Sequence, residues 1–193
     1  DALLVRMTDD VAALVLEDNR LQALALSIAE KGGSAAVPSL VRIMETFEAS
    51  GRLDRKVEGL AANDELMRRA AEGRGLTRPE LAVLLSTAKL ALQEAIEHSE
   101  LPNDPALASD LAAAFPAEMQ RDFAAAIADH QLRREIIATK IANRIINRMG
   151  IVHPFELVEE EGCALGDIAA AFVAVERLLD LPAIWDALDA AKI

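Results

Sequence analysis

Apolar residues recur along this chain three and four positions apart, the spacing that lines one face of an α-helix. They do not alternate with polar residues over a useful strand length. The first run follows Thr8-Asp9-Asp10, a side-chain cap signal, and takes in Val11, Leu14, Val15, Leu16, Leu21, Leu24, Ala25 and Ile28. The polar cluster Glu17-Asp18-Asn19-Arg20 is a candidate break within it, and Gly32-Gly33 a stop. A helix from Ala36 to Ser50 carries Val37, Leu40, Val41, Met44 and Phe47 on one face, and Gly51 stands where a helix ends on a left-handed residue.

Residues 52–76 are the least regular, with a short helix expected after Asn63-Asp64 and ending near Glu72. The best-marked helix opens at Thr77. Thr77 and Glu80 have capping-box spacing, Pro79 sits where its missing N–H costs nothing, and Leu81, Leu84, Leu85, Ala88, Leu92 and Ile96 follow before His98 and Ser99. Asp104-Pro105 starts another helix, with Asp104 as N-cap, and Phe115-Pro116 breaks it. A helix from about Ala117 leads through Phe123 and Ile127 to a long basic helix ending at Gly150. His153-Pro154 begins a short helix stopped by Gly162, Ile168 to Leu179 form the next, and Pro182 begins the last. The pattern predicts an all-α fold with no sheet, a bundle of roughly eight to ten helices.

Composition supports this and narrows the partners. Hydrophobic residues make up 52% and charged residues 27%, with one Trp and no Tyr, so strand-favouring aromatics are scarce in a chain able to build a core. A net charge of −12 repels a phosphate backbone, which argues against nucleic acid. No run approaches the ~18 apolar residues of a membrane span. A lone Cys163 and the absence of a signal-peptide pattern suit a cytoplasmic protein. The chain opens at Asp1 directly into helix-forming sequence, as a piece of something longer would.

Candidate chemistry is thin. Gly73 and Gly75 lack the third glycine of a dinucleotide fingerprint and lie between helices rather than after a strand. His98, His130 and His153 are far apart and lack zinc-like spacing, while Glu159-Glu160-Glu161 reads as a solvated run. No catalytic, cofactor-binding or metal-binding residue is expected. One helix has a local reversal of charge. Arg133, Lys140, Arg144 and Arg148 fall within an arc of about 80° at helical spacing. Asn143 and Asn147 stand one turn apart on the polar side, and Ile137, Ile141 and Ile145 occupy the neighbouring arc. Two readings stay open. Either this flank pairs with nearby carboxylates such as Glu156 and Glu159 to Glu161, or it is a stripe that docks on another domain or subunit.

Four segments in order resemble the C-terminal region of the large bacterial NAD-specific glutamate dehydrogenases: MTDDVAALVLEDNRLQALALS (Met7 to Ser27), GRLDR (Gly51 to Arg55), GLTRPELAVLL (Gly75 to Leu85) and LRREIIATKIANRIINRMG (Leu132 to Gly150). The resemblance implies a non-catalytic helical C-terminal domain, residues 1–193, with 1–75 and 76–193 as an optional division. Its parent enzyme oxidises L-glutamate with NAD through a catalytic domain upstream. It further implies that this chain binds no cofactor, that it contacts the upstream domain or other subunits, and that the whole enzyme is a homo-oligomer. Under this resemblance Arg133, Lys140, Asn143, Arg144, Asn147 and Arg148 are the candidate interdomain contact. The competing expectation is a free-standing helical adaptor binding a protein through the stripe at 133–148.

Overall fold

A computed structural model describes residues 2–191, with side chains from residue 4. Twelve α-helices follow one another: α1 (Ala2–Lys31), α2 (Val37–Ala49), α3 (Arg55–Glu58), α4 (Asn63–Ala71), α5 (Arg78–Glu97), α6 (Ala108–Ala112), α7 (Ala117–Asp122), α8 (Ala124–Ala128), α9 (Arg133–Met149), α10 (His153–Glu161), α11 (Leu165–Leu178) and α12 (Leu181–Ala190). Three 3₁₀ turns, at Gly33–Ala36, Leu101–Asn103 and Pro105–Leu107, join some of them, and the described residues contain no strand. The fold is all-α, as the periodicity requires. The count exceeds eight to ten because the sequence pattern does not resolve short helices such as α3, α6, α7 and α8.

Helices α5 and α9 form the central pair. Leu81, Leu84, Leu85, Ala88, Leu92 and Ile96 of one meet Ile137, Ala138, Ile141, Ala142 and Ile145 of the other, all fully or almost fully buried. The alanines let the two backbones approach, and each leucine or isoleucine removed from water contributes about 1.5–3 kcal/mol. Helices α1 and α11 flank this pair. Phe47 of α2 meets Phe155 of α10 edge-to-face, with ring centroids 5.1 Å apart. One hydrophobic cluster runs from Ala25 through Leu53 and Leu76 to Val173.

Local signals account for several boundaries. The Thr77–Glu80 pair caps α5: the Glu80 carboxylate accepts from the Thr77 N–H at 2.7 Å and from its hydroxyl at 2.8 Å. It also accepts from Arg69 of α4 at 2.9 Å, so the cap ties two helices together. Asp104 accepts from the Ala106 N–H, but caps a 3₁₀ turn leading into α6. Gly73 ends the turn after α4 with φ +76°, and Gly75 passes so close to Gly33 that an added Cβ would lie 2.7 Å from its carbonyl carbon and oxygen.

Some boundaries differ from the sequence expectation. Helix α1 does not start at Thr8. The Thr8 hydroxyl donates to the Leu4 carbonyl inside a continuous helix. Nor does the cluster at 17–20 break it, because Arg20 pairs bidentately with Glu17 three residues back and supports the helix there. The segment after Pro116 is two short helices parted at Phe123, not one leading into α9. Helix α11 begins at Leu165, three residues before Ile168, where Asp167 accepts from the Ala164 N–H.

Candidate functional site

The basic flank of α9 is the cluster of charge that the sequence singles out, and most of it faces the protein's own helices. Arg144 lies 2.6 Å (Nη1) from Asp110 Oδ1 on α6 and 2.9 Å (Nε) from Glu176 Oε1 on α11. Arg177 reaches the other oxygen of Asp110, also at 2.6 Å. The result is a four-residue ion cluster joining α6, α9 and α11 at the foot of an open groove of about 330 Å³ that Ser109, Asp180 and Pro182 also line. Asp110 and Glu176 are 8% and 3% exposed, so both carboxylates depend on the guanidinium groups.

The geometry is not uniform within the cluster. The Arg144–Asp110 and Arg177–Asp110 contacts are hydrogen bonds. The Arg144 Nε and Glu176 Oε1 atoms are in contact, yet the N–H is not aligned on the oxygen, and both remain without a hydrogen bond. Burial accordingly pushes the Glu176 carboxyl above its ordinary value, and attraction from Arg144 and Arg177 recovers part of the difference. The opposite balance holds at Glu80. Burial pushes that carboxyl up, but the Thr77 backbone and hydroxyl and Arg69 together outweigh it and hold it below the ordinary value.

The remaining stripe residues have separate places. Lys140 lines a groove with Asp18 and donates to the Ala113 carbonyl at 3.2 Å, and burial holds its ammonium pKa below the usual lysine range. The Arg148 guanidinium lies 4.4 Å from the ring centre of Trp185 on α12, a cation–π contact. Asn147 is 9% exposed, its side-chain oxygen has no partner, and it helps line a cavity of about 240 Å³ between the end of α1 and the α9–α10 turn. Arg133 borders a groove with Asn103 and Gln120, and Asn143 borders another with Leu14 and Asp18. Two of the acidic residues that the sequence offered as partners are engaged elsewhere: Glu156 and Glu159 both pair with Arg42 of α2.

Sequence reasoning missed Asp110 and Glu176. A signal for the second was present. Ala169, Val173 and Glu176 stand at i, i+4 and i+7, which puts a carboxylate on the buried face of α11 and calls for a cation opposite it. Asp110 had no such marker, since α6 is too short to show a periodicity.

The three histidines serve locally. His98 Nδ1 contacts the Glu94 carbonyl, His130 Nδ1 accepts from the Leu132 N–H, and His153 starts α10. Among the described residues no group of three metal-ligating side chains comes together, and no helix is long and apolar enough to cross a membrane. Gly73 and Gly75 make a helix-to-helix turn, as their context predicted.

Fold and clusters together define an all-α domain in which polar side chains chiefly tie helix to helix. The family model described as "Glutamate dehydrogenase, C-terminal" matches residues 73–192, and the chain belongs to that family. The NAD-specific glutamate dehydrogenase of Pseudomonas aeruginosa is 42% identical over 182 residues, which are 94% of this chain and 11% of that protein. Its counterparts in Halomonas elongata and Mycobacterium tuberculosis are 36% and 34% identical over 97% and 99% of this chain, in each case 12% of theirs. What the chain matches is thus a C-terminal part of much longer polypeptides. No solved structure gives a significant match.

Proposed function

We propose that this chain, residues 1–193 as one unit, is the non-catalytic C-terminal domain of an NAD-specific glutamate dehydrogenase. The parent reaction converts L-glutamate, NAD and water to 2-oxoglutarate, ammonia and NADH. In this reading the domain acts by contact with the catalytic polypeptide or with other subunits, and NAD is bound elsewhere in the parent.

The observation that supports the reading best is the use made of the buried charges. Asp110, Arg144, Glu176 and Arg177 pair with one another across α6, α9 and α11, so their charges hold helices together instead of meeting a dicarboxylate or a pyrophosphate. Meanwhile large apolar side chains stand uncovered, among them Leu178 at 82% exposure and Leu16 at 69%, as on a surface that a partner closes. Within the α9 stripe, Arg133 and Asn143 border open grooves and are the residues best placed for an interdomain contact.

The test uses the isolated chain. Mixed with L-glutamate and NAD it is expected to form no NADH, and calorimetric titration with NAD is expected to give no saturable binding. Saturable NAD binding, or turnover, would overturn the assignment.

A further inference from the structure

The outer surface of α1 has a division that the folding of this chain alone does not require. At 100° per residue, its N-terminal half splits into three sectors. Met7 and Leu14, continued by Leu21 and Ala25, form the edge nearest the body, where α1 packs on α5 and α9; Leu14 is still half-exposed there, and burial becomes complete only at Ala25. Arg6, Asp9, Asp10 and Glu17 form a charged sector. The remaining arc, about 140° wide at helical spacing, holds Leu4, Val5, Thr8, Val11, Ala12, Val15 and Leu16.

No charged residue interrupts that arc, and all seven of its residues are exposed. Leu4 and Leu16 are each 69% exposed, Val5 59%, Val15 53% and Val11 49%. Even Thr8, itself exposed, has its hydroxyl satisfied within the helix by the Leu4 carbonyl at 2.8 Å. A helix facing water on this side gains nothing from three valines and two leucines. β-branched residues lower its propensity, and exposed apolar side chains invite association.

We propose that this stripe is a docking surface whose occupant is the polypeptide preceding this region in the full-length enzyme, bound within the same subunit. The proposal rests on the contact function above and names its surface and partner. Two features select this occupant. The matched region makes up only 11% or 12% of the relatives' length and is C-terminal in them, so most of the enzyme comes before it. Helix α1 is the element nearest that polypeptide in the chain, which puts the stripe at an effective concentration on the order of millimolar toward it.

Charge argues against the alternative of a second copy. The chain carries −12, and an antiparallel pairing of residues 4–16 with themselves sets Asp9 and Asp10 of one copy beside those of the other. The same carboxylates define the partner's chemistry: an apolar face flanked by basic side chains.

The experiment places a photo-reactive benzophenone amino acid at Leu16 of the full-length enzyme, and separately at Leu178 on α11. Each is incorporated into enzyme assembled from a mixture of light and nitrogen-15 subunits. Glutamate oxidation by each variant reports that it is folded. The expected result is a crosslink from position 16 to the preceding polypeptide in which both peptides carry the same isotope. Crosslinks joining light to heavy peptides would overturn the proposal in favour of a second copy. Absence of any crosslink from position 16 would overturn it as well. In that case crosslinks from position 178 to the rest of the enzyme would leave the contact function standing with its surface elsewhere, and their absence too would remove both.

Discussion

Replacing Arg144 with methionine tests whether the α9 stripe is spent inside the domain. Methionine keeps the apolar stem and removes only the guanidinium. Asp110 then loses one of its two arginines, a charge-assisted hydrogen bond at 2.6 Å, while Arg177 stays on its other oxygen. Loss of such a bond costs about 1.5–3 kcal/mol. Glu176 loses its close cationic contact altogether, and an unpaired buried carboxylate can cost about 3–5 kcal/mol. Its carboxyl is already biased toward the protonated form, so it can take up a proton and escape part of that penalty. A net loss of about 3 kcal/mol follows, and at roughly 2–4 °C per kcal/mol for a domain of this size the melting point falls by roughly 6–12 °C. The assay is thermal unfolding followed by circular dichroism, with the loss expected to shrink at acid pH as Glu176 protonates. An Arg144→Met variant melting within about 2 °C of the parent at neutral pH would refute the reasoning, because an exposed ion pair is worth only about 0–1 kcal/mol. The same geometry means that Arg144→Glu would place a third carboxylate beside Asp110 and Glu176, so charge reversal here disturbs the fold as well as any docking.

Leu84→Asp, at a position with no exposure, is expected to cost at least ~3 kcal/mol and to abolish a cooperative melt in a marginal background; an unchanged melt would remove α5 from the core. Glu176→Gln and Glu80→Gln should show opposite pH dependence. Glu176, raised in the folded state, contributes stability at low pH that is lost as pH rises above 4.5 through its folded value, so Glu176→Gln gains on the parent with rising pH. Glu80, lowered, contributes stability above 4.5 that is lost as pH falls through its folded value, so the deficit of Glu80→Gln shrinks in acid. Melting curves across pH decide both, and parallel slopes would contradict the burial argument. Gly75→Ala, whose Cβ would meet the Gly33 backbone at 2.7 Å, is expected to cost about 2 kcal/mol or more in denaturant unfolding, whereas a neutral effect would mean the two turns can separate.

Helices long enough to display a face were legible in the sequence. The cap and the Leu81–Ile96 periodicity of α5 and the isoleucine row of α9 located the central pair, because core helices leave a repeating apolar signal. Segments of four to six residues, such as α3 and α7, leave none. At Thr8 and at residues 17–20 polar residues were misread as boundaries, since a cap and an in-helix ion pair use the same residue types and differ only in geometry. The candidate site was half legible. The stripe on α9 could be drawn from spacing alone, but its partner Asp110 lies 34 residues from Arg144 along the chain and its partner Glu176 stands on another helix, and only folding brings them together. Gly75 looked like an ordinary turn residue, and its close approach to Gly33 depends on a contact between distant loops.

Hydrogen exchange across residues 4–191, compared between the isolated chain and the full-length enzyme, tests the contact function most directly. Few tertiary contacts hold the N-terminal half of α1 in the isolated chain, so its amides are expected to exchange early there. In the full-length enzyme the segment 4–16 is expected to exchange more slowly, while the α5–α9 pair remains equally protected in both. Identical exchange along the whole chain in the two contexts would contradict a domain that works by contact.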